Sequence, residues 1–331
     1  MHQDIAAKKY DAIIVIGSYN RSSPSIMFKG EKRDKPFNWQ RPTARVVGNQ
    51  LWIECFPGYD HTEHYAELIA SYLEILHREG HNVTQGPDVC FIPSSCSDTQ
   101  HALQATNLDE LPTQVDTVVL GLVHCLKRLT GVTDWEGDGC FGWAVRQFNG
   151  RAVAFVGFRP SFWGDIAGEI VHYIASRHST VHEILYFGKL GSVKTGVEPN
   201  TFLATGGRSY VRGQMVEWRN ALAASVAHKA AANVIVGDHF TVGSVLHETK
   251  EWLAGLPPSV AFVDPEIGTM AQAAVRSKVN FGYLHIISDN VAEKYEHDLS
   301  NERMEGVAAS RSRLYDVAQD VFEHHLSRAQ S

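Results

Sequence analysis

The sequence predicts an α/β protein whose last two-thirds form a three-layer domain, preceded by an N-terminal α/β extension. From residue 117 onward, short apolar runs rich in β-branched residues alternate with segments whose apolar residues recur every three or four positions. Alternation of this kind is typical of a sheet covered by helices on both faces. A polar, weakly periodic stretch at 93–114 marks the boundary. We therefore divide the chain into an extension of unknown role at 1–113 and a domain at 114–331.

Composition limits the classes of protein to which the chain belongs. Of its 331 residues, 44% are hydrophobic and 20% are charged, an ordinary balance for a globular protein. The 30 basic and 37 acidic residues give a net charge of −7, so neither nucleic acid nor an anionic membrane is an expected partner. No apolar run approaches the ~20 residues of a membrane helix, and the first residues do not resemble a secretory signal. The five cysteines suggest no disulfide framework, so we expect a cytoplasmic protein.

The extension contains its own strands and one long helix. Residues 11–17 form an apolar run that ends at a glycine, which predicts a buried strand. Residues 45–56 alternate as a strand or hairpin, and 89–92 suit another strand. From residue 65 the apolar positions repeat at helical spacing as far as Gly80, a residue that commonly ends a helix. The polar stretch 18–42, punctuated by proline and glycine, predicts a loop.

The domain at 114–331 has a more regular alternation of predicted strands and helices. Asn149-Gly150 between two apolar runs predicts a tight hairpin. Predicted strands cover 117–122, 140–148, 151–158, 182–187, 201–204, 209–211 and 234–241, and predicted helices cover 166–174, 215–232 and 300–326. The strand at 182–187 is expected to run into a glycine-rich loop, GKLGS.

The stretch 260–290 is the unit on which the functional prediction depends. It reads as a strand at 260–263, a helix opened by Pro265, and a second strand at 281–287. Glu266 starts the helix and Asp289 follows the second strand. Ligands of parallel α/β sheets collect outside the carboxyl ends of the strands. We therefore expect both carboxylates to reach one crevice.

Six segments, taken in order, resemble the nucleoside phosphorylase/nucleosidase superfamily, and specifically its purine-type nucleosidases that act on methylthioadenosine and S-adenosylhomocysteine. The segments are the hairpin at 140–158, the glycine-rich stretch at 186–207, VGDHF at 236–240, VDPEIGTMAQAA at 263–274, HIISDN at 285–290 and HDLSNERMEGVAA at 297–309. The resemblance implies a three-layer sandwich of the nucleoside phosphorylase type with a mixed central sheet. It also implies a homo-oligomer that binds a small-molecule nucleoside, with no metal or organic cofactor and with phosphate as an alternative co-substrate.

The resemblance assigns roles to the two acids and to several neighbours. Breaking an N-glycosidic bond leaves a purine anion unless an acid protonates it, and the family gives that role to the aspartate that matches Asp289. The glutamate that matches Glu266 binds the ribose hydroxyls and supports the positive charge that develops on the sugar. Phe240 would form a wall of the base pocket with His239 beside it. Ser288 precedes the acid, and Gly188 opens the glycine-rich loop.

Several positions depart from the family pattern on the side of the nucleophile. Nucleosidases of the family carry an acid soon after the first strand, where this chain has GLVHCLKRL with His124 as the nearest polar residue. The phosphorylase motif G-D-P-x-R is absent from this region, and Lys189 and Arg159 are the candidate anion ligands. Hydrolysis and phosphorolysis therefore both stay open, as does an anionic substrate. The alternative from another class is a non-catalytic or regulatory nucleoside-binding protein of the same fold.

Each candidate also has a purely structural interpretation. Asp289 could cap a strand end, and an acid in a first helical turn such as Glu266 is favoured by the helix dipole alone. Phe240 and His239 lie in an apolar strand, where such residues more often belong to the core. Arg159 could be a surface charge at the end of a hairpin.

Overall fold

Two sheets, one of four strands and one of eleven, organise the residues that the computed structural model describes, namely 2–22, 24–80, 88–132, 134–297 and 304–328. The smaller sheet belongs to the part of the chain before residue 93, which we call the N-terminal lobe. The larger sheet contains all the strands from residue 117 onward and forms the main lobe.

The N-terminal lobe is a four-stranded sheet with strand order β2-β3-β1-β4, packed against one long helix. β1 pairs in parallel with β3 and β4, and β2 with β3 forms the hairpin predicted from residues 45–56. Alternate residues of β1 are buried, which matches a strand with one covered face. The elements are α1 Asp4–Ala7, β1 Ala12–Ile16, β2 Thr43–Val47, β3 Gln50–Glu54, α2 Tyr59–Arg78 and β4 Asp88–Ile92.

The polar stretch between the lobes contains a helix that the sequence pattern did not predict. α3 spans Cys96–Gln104 and is followed by a 3-10 turn at Asn107–Glu110. Ser95 and Asp98 form a capping box at the start of α3. Leu103 is the residue that buries the helix in the core of the main lobe. A single buried leucine in a polar nonapeptide gives too weak a period to be recognised.

The main-lobe sheet runs β11-β10-β13-β14-β8-β15-β9-β12, with β5 joined to β8 and then to β7 and β6. It contains parallel and antiparallel pairs, so it is the mixed sheet that we expected. Its strands are β5 Thr117–Gly121, β6 Phe141–Phe148, β7 Arg151–Phe158, β8 Glu183–Ser192, β9 Leu203–Thr205, β10 Arg208–Val211, β11 Gln214–Glu217, β12 Val234–Val236, β13 Asp238–Thr241, β14 Val260–Asp264 and β15 Asn280–Asn290.

Helices cover both faces of this sheet and complete three layers. Val118 of β5 packs in the cluster that includes α5 and α8, whereas the next residue, Val119, packs in the cluster that includes α6 and α9. The three-layer sandwich is therefore confirmed. Over the described residues, no helix combines the length and the apolar character needed to cross a membrane. The helices are α4 Lys127–Thr130, α5 Asp165–Arg177, α6 Ala223–Lys229, α7 Lys250–Ala254, α8 Ile267–Ser277 and α9 Glu305–Leu326, with 3-10 turns at Val123–Cys125 and Val245–His247.

Two predictions for the region 210–241 are wrong. The helix predicted at 215–232 is reduced to α6, because Arg212 and Gly213 adopt φ angles of 47° and 79° and turn the chain back as β11 along β10. The strand predicted at 234–241 divides at Gly237 into β12, which pairs with β9, and β13, which pairs with β10 and β14. Of the helix predicted at 300–326, residues 300–303 lie outside the described residues, and the observed helix α9 begins at Glu305.

A loop of the N-terminal lobe, residues 31–41, is inserted into the main lobe by one aromatic side chain. Phe37 is 2% exposed and meets Trp135 edge to face, with ring centroids 4.8 Å apart. The ring fills the space beside Gly157 of β7, where an added Cβ would lie 2.1 Å from Phe37 Cδ2. The backbone N–H of Asn38 donates to the Phe158 carbonyl at 2.8 Å. The loop is thereby fixed beside the carboxyl ends of β5 and β8, where the site lies.

Candidate active site

The cavity lies where strand β8 changes its neighbour. On one edge, β8 pairs with β15 along its whole length. On its other edge, β8 pairs with β5 over residues 183–187 and with β14 at residues 191–192. Residues 188–190 lie between these two partners and line a cavity of about 360 Å³. The stretch that the sequence pattern suggested as a glycine-rich loop is thus the last part of a strand. Its backbone forms one wall of the cavity.

Glu266 enters the cavity from the start of helix α8. The carboxylate of Asp264 accepts the backbone N–H groups of Glu266 at 3.0 Å and Ile267 at 2.9 Å, which fixes the first turn. The Glu266 carboxyl accepts hydrogen bonds from the Tyr186 hydroxyl and from the backbone N–H of Gly164. Burial raises the pKa of Glu266 well above its usual value, and the charge of Asp264 adds to this effect.

Asp289 lines the same cavity, and a β-bulge lies directly before it in strand β15. In the β15–β8 ladder, Ile287 pairs with Leu190 and Asp289 pairs with Gly191, so Ser288 is the additional residue. Bulges of this kind redirect side chains and are common beside active sites. The Ser288 hydroxyl donates to Asp289 Oδ1 at 2.7 Å. The sequence pattern had put Asp289 just past the strand, but β15 continues to Asn290.

Two further carboxyl groups, Asp264 and Glu248, line the cavity, and the sequence analysis identified neither of them. Burial, together with the neighbouring charges of Asp289 and Asp264, raises the pKa of Glu248 to about 8. The segment before it is held by the N-terminal lobe, since His64 Nδ1 lies 2.9 Å from Ser244 Oγ. No local pattern distinguishes Glu248 from an ordinary polar loop residue.

Positively charged side chains also line the cavity. Lys189 comes from β8, and Lys32, Lys35 and Arg41 come from the loop 31–41 of the N-terminal lobe. His124, after β5, lies near two of them, Lys35 and Lys189. Burial lowers the pKa of His124 to about 4, and the charges of the nearby lysines lower it as well, so the ring is neutral at pH 7. The sequence did not indicate that the cations of the loop 31–41 would line a cavity, because they belong to an ordinary charged run in a predicted loop.

The solved structures that share this architecture include two nucleosidases. One, from Weissella paramesenteroides, is assigned as a methylthioadenosine nucleosidase; it has a TM-score of 0.52 and 14% identity, covering 64% of this chain and 97% of that one. A methylthioadenosine/S-adenosyl homocysteine nucleosidase from Campylobacter jejuni gives a TM-score of 0.51 at 14% identity, covering 63% and 99%. The chain has the nucleoside phosphorylase/nucleosidase fold. The resemblance found in the sequence is thereby confirmed at the level of the fold.

Sequence comparison adds little to the structural match. No protein-family model matches the chain. A curated relative, the oxidoreductase cns1 of Cordyceps militaris, is 28% identical over 179 residues, which span 48% of this chain and 21% of that protein. Because the match covers about a fifth of the relative, it transfers no activity to this chain.

Within this nucleoside phosphorylase fold, most of the predicted site residues converge on the cavity. Its lining includes both acids and their predicted neighbours. These residues are Glu266, Asp289, Ser288, Gly188, Lys189 and His124. Their chemical roles stay predictions, but their common location is a property of the structure.

Two predicted pocket residues, His239 and Phe240, are not among the residues that line the cavity. His239 is fully buried, with Nε2 3.0 Å from Asp264 Oδ1 and Nδ1 2.9 Å from Ser209 Oγ. It supports the carboxylate that caps α8 and does not reach the cavity surface. Phe240 stacks on Tyr210 with ring centroids 6.2 Å apart and packs in a separate apolar cluster. Neither side chain lines the cavity, so both predictions of direct ligand contact are corrected: His239 is buried below the start of α8, and Phe240, on the opposite face of β13, is half-buried.

Arg159 is also outside the cavity lining, although we expected it to bind an anion. Its guanidinium donates to the carbonyl groups of Gly137 at 2.6 Å, Gly139 at 2.5 Å and Phe141 at 2.7 Å. These three bonds hold the turn that precedes β6. The structure therefore gives Arg159 a structural role, and the cations that line the cavity are Lys32, Lys35, Arg41 and Lys189.

Proposed function

We propose that the protein cleaves the N-glycosidic bond of a purine-type or modified nucleoside, with Asp289 as general acid to the base and Glu266 as the ligand of the ribose. The observation that supports this most directly is that the two carboxyl groups, carried by different elements, line one cavity. The fold supports it in a general way, because the two matched structures are named as nucleosidases.

The base side of the cavity has the chemistry that the departing purine requires. When the C1′–N9 bond breaks, its electron pair moves onto the base, and a proton delivered to N7 makes the base a neutral leaving group. With a pKa of about 8, the carboxyl group of Glu248 is protonated at neutral pH close to Asp289. These two groups together therefore hold a proton that Asp289 delivers and Glu248 replenishes.

The sugar side has a carboxyl group in a fixed position. Glu266 is 6% exposed and is oriented by Tyr186 and Gly164, so little rotation is lost when it binds ribose hydroxyls. As the glycosidic bond breaks, positive charge develops on the sugar, and preorganised acceptors nearby stabilise it. Water or phosphate then forms the new bond to C1′.

The test is to incubate the protein with adenosine, methylthioadenosine and inosine, with and without phosphate, and to follow the free base by chromatography. Asp289→Asn should lower kcat about 10²–10⁴-fold, the usual contribution of a general acid. Asp316→Asn, at an exposed position on α9, is the matched control and should retain wild-type rates. Equal rates for wild type and Asp289→Asn on every substrate that reacts would show that the assignment of the acid is wrong.

A non-catalytic nucleoside-binding protein is the second candidate, and one observation favours it. His124, Lys35 and Lys189 occupy the region after β5, where the nucleosidases that the sequence resembles carry an acid to orient water. Binding of adenosine without release of adenine, at any phosphate concentration, would support this candidate over the enzyme.

A further inference from the structure

We propose that one face of helix α2 completes the active site from the N-terminal lobe, with Asp60 as a positioning residue for Glu266 and His64 as a positioning residue for Glu248. Asp60 and His64 are not among the residues that line the cavity. Each acts through a segment of the main lobe that it holds in place. This inference rests on the proposed function for the roles of the two glutamates, and it gives the N-terminal lobe a part in the reaction.

The contacting face of α2 follows from helical spacing. Asp60, His64 and Glu67 are four and three residues apart, so their side chains lie along the same side of the helix. All three contact the main lobe. Asp60 and His64 are buried, whereas Glu67 is half-buried. Polar contacts are directional, so this row of side chains fixes the orientation of the segments that it touches.

Asp60 holds the residue whose backbone N–H binds Glu266. Asp60 Oδ2 accepts the N–H of Asp165 at 3.0 Å, and this contact fixes Gly164 immediately before it. Gly164 has a φ of 54°, a conformation that favours glycine, and an added Cβ would lie 2.6 Å from Asp60 Cβ. Its N–H donates to the Glu266 carboxyl, and its carbonyl accepts the Thr269 hydroxyl at 3.0 Å. Loss of the Asp60 contact would therefore loosen a hydrogen bond that orients Glu266.

His64 holds the turn that carries Glu248 to the cavity. Its Nδ1 lies 2.9 Å from the hydroxyl oxygen of Ser244, a fully buried residue. The same oxygen accepts the backbone N–H of Leu246 at 3.3 Å and thereby caps the 3-10 turn at 245–247. Glu248 is the next residue after this turn. The position of Glu248 therefore depends on a serine whose hydroxyl is bound by the N-terminal lobe.

A stacked pair of rings joins the two contacts of α2. The imidazole of His64 lies nearly parallel to the indole of Trp163, with ring centroids 4.2 Å apart and an angle of 11° between the planes. Trp163 lines the cavity, and its Nε1 donates to the Gly243 carbonyl at 2.8 Å. The two segments that α2 holds are thus also fixed to each other by Trp163.

His64 is neutral at the pH at which base release is measured. Burial, together with the charges of His61 and His247, lowers the pKa of His64 to about 4, and the charge of Glu67 opposes this effect. Because the ring does not titrate between pH 6 and 10, its contacts stay the same over that range. A change in the alkaline part of the pH profile of a His64 variant therefore comes from another group, Glu248.

The first test measures the pKa of Glu248 by ¹³C NMR of the full chain labelled at its glutamate carboxyl groups, with Glu248→Gln to assign the signal. We expect a pKa of about 8 in the wild type. His64→Ala should lower it toward the ordinary value of about 4.3, because a loosened turn exposes the carboxyl group to water. His64→Asn, whose amide can bind Ser244, should restore the raised value. His61→Ala removes another buried imidazole of α2 and is the matched control.

The second test separates the two contacts by what each one controls. The adenosine affinity, measured by calorimetry in the Asp289→Asn background, should fall about tenfold in Asp60→Ala and recover in Asp60→Asn, which keeps the acceptor. His64→Ala should instead lower kcat about tenfold at pH 7, leave KM unchanged and remove the decline above pH 8. In the Glu248→Gln background, His64→Ala should have no further effect on kcat. Glu74→Ala, at an exposed acid of α2, is the control for Asp60.

A purely structural role for these contacts would give a different result. Each alanine variant would then lose stability in urea with no change in adenosine affinity, in the pKa of Glu248 or in the pH profile, and this outcome would overturn the inference. His64→Phe, which keeps the stacked ring without the hydrogen bond, should behave as His64→Ala and replaces it if that variant does not fold.

The outcomes also distinguish this inference from the proposed reaction. A lowered pKa of Glu248 in His64→Ala, with no base release by the wild type, would reject the reaction alone. Base release whose alkaline decline depends on Glu248 and is retained in His64→Ala, together with an unchanged adenosine affinity in Asp60→Ala, would reject this inference alone.

Discussion

Asp60 and Asp165 each cap the helix to which the other belongs. Asp60 Oδ2 accepts the backbone N–H of Asp165 at 3.0 Å, and Asp165 accepts the N–H groups of Tyr59 at 2.8 Å and Asp60 at 3.3 Å. The first turns of α2 and α5, and therefore the two lobes, are joined by this pair. Arg212 adds a cation 3.0 Å from Asp60 Oδ1. The joint brings two carboxylates close together, and this makes it sensitive to pH.

The pH dependence of stability should reveal this joint. Burial, together with the charge of Asp60, raises the pKa of Asp165 to about 6. A carboxyl group with a raised pKa in the folded state stabilises the protein fully below its usual pKa near 4, and that contribution is lost as pH rises through 6. Between pH 4 and 7, wild type should therefore lose free energy of unfolding relative to Asp165→Asn, as measured by urea denaturation. Glu217→Gln, at an exposed position, should follow wild type, and a parallel curve for Asp165→Asn would contradict the prediction.

The contact between Phe37 and Gly157 should appear as a coupling energy. Phe37→Ala should lower the free energy of unfolding by about 3–5 kcal/mol because it empties a buried ring site. Gly157→Ala should cost about 1–3 kcal/mol because the new methyl group meets that ring. In the Phe37→Ala background the methyl group has room, so the cost of Gly157→Ala should fall. Gly306→Ala, at an open helical site, is the control and should stabilise the protein by about 0.5–1 kcal/mol; additive effects of the first two changes would show that the ring and the glycine do not interact.

The pH profile of base release should depend on Glu248. With a pKa of about 8, its carboxyl group is neutral at pH 7 and becomes charged as pH rises further. If this proton supplies Asp289, kcat should decline above pH 8 in the wild type, and Glu248→Gln should be slower at pH 7 and lack that decline. The measurement is the initial rate of base release from pH 6 to 10, with Glu217→Gln as the control. A variant that keeps the same alkaline decline would exclude Glu248 as its source.

Arg159 should affect stability and leave the reaction unchanged. Arg159→Met removes three hydrogen bonds from a charged donor to backbone carbonyls, so the free energy of unfolding in urea should fall by about 1.5–3 kcal/mol. Its rate of base release should match that of Arg276→Met, a change at an exposed arginine of α8. Slower base release by Arg159→Met at unchanged stability would show that Arg159 acts in the site.

The part of the site that could be predicted from sequence is the part formed by one continuous stretch of the chain. Pro265, Glu266 and Asp289 belong to a single strand-helix-strand unit, whose periods and end signals are local. The rule that ligands collect at strand ends then places both acids together without further information. The Ser288 bulge could not be predicted, because it depends on the register between β15 and β8.

Long-range packing accounts for what the sequence pattern did not predict. Nothing near Phe37 indicates that its ring will lie beside Gly157, so the loop 31–41 read as an ordinary polar connection. Glu248 reaches the cavity because His64 and Trp163 hold the preceding turn, and both come from elsewhere in the chain. The helix predicted at 215–232 was wrong for a local reason. The prediction relied on the alanine-rich helical spacing and did not take into account the turn that Arg212 and Gly213 form just before it.

The loop 31–41 forms one wall of the cavity, and it belongs to the N-terminal lobe, which has its own sheet and core. A molecule that fills the cavity therefore contacts both lobes. Occupancy then opposes any opening that separates them, by RT ln(1 + [L]/Kd) for a ligand that binds only the closed form. Proteases act on opened states in proportion to their population. The lifetime of the intact chain would thus follow the supply of its ligand, even where turnover is slow.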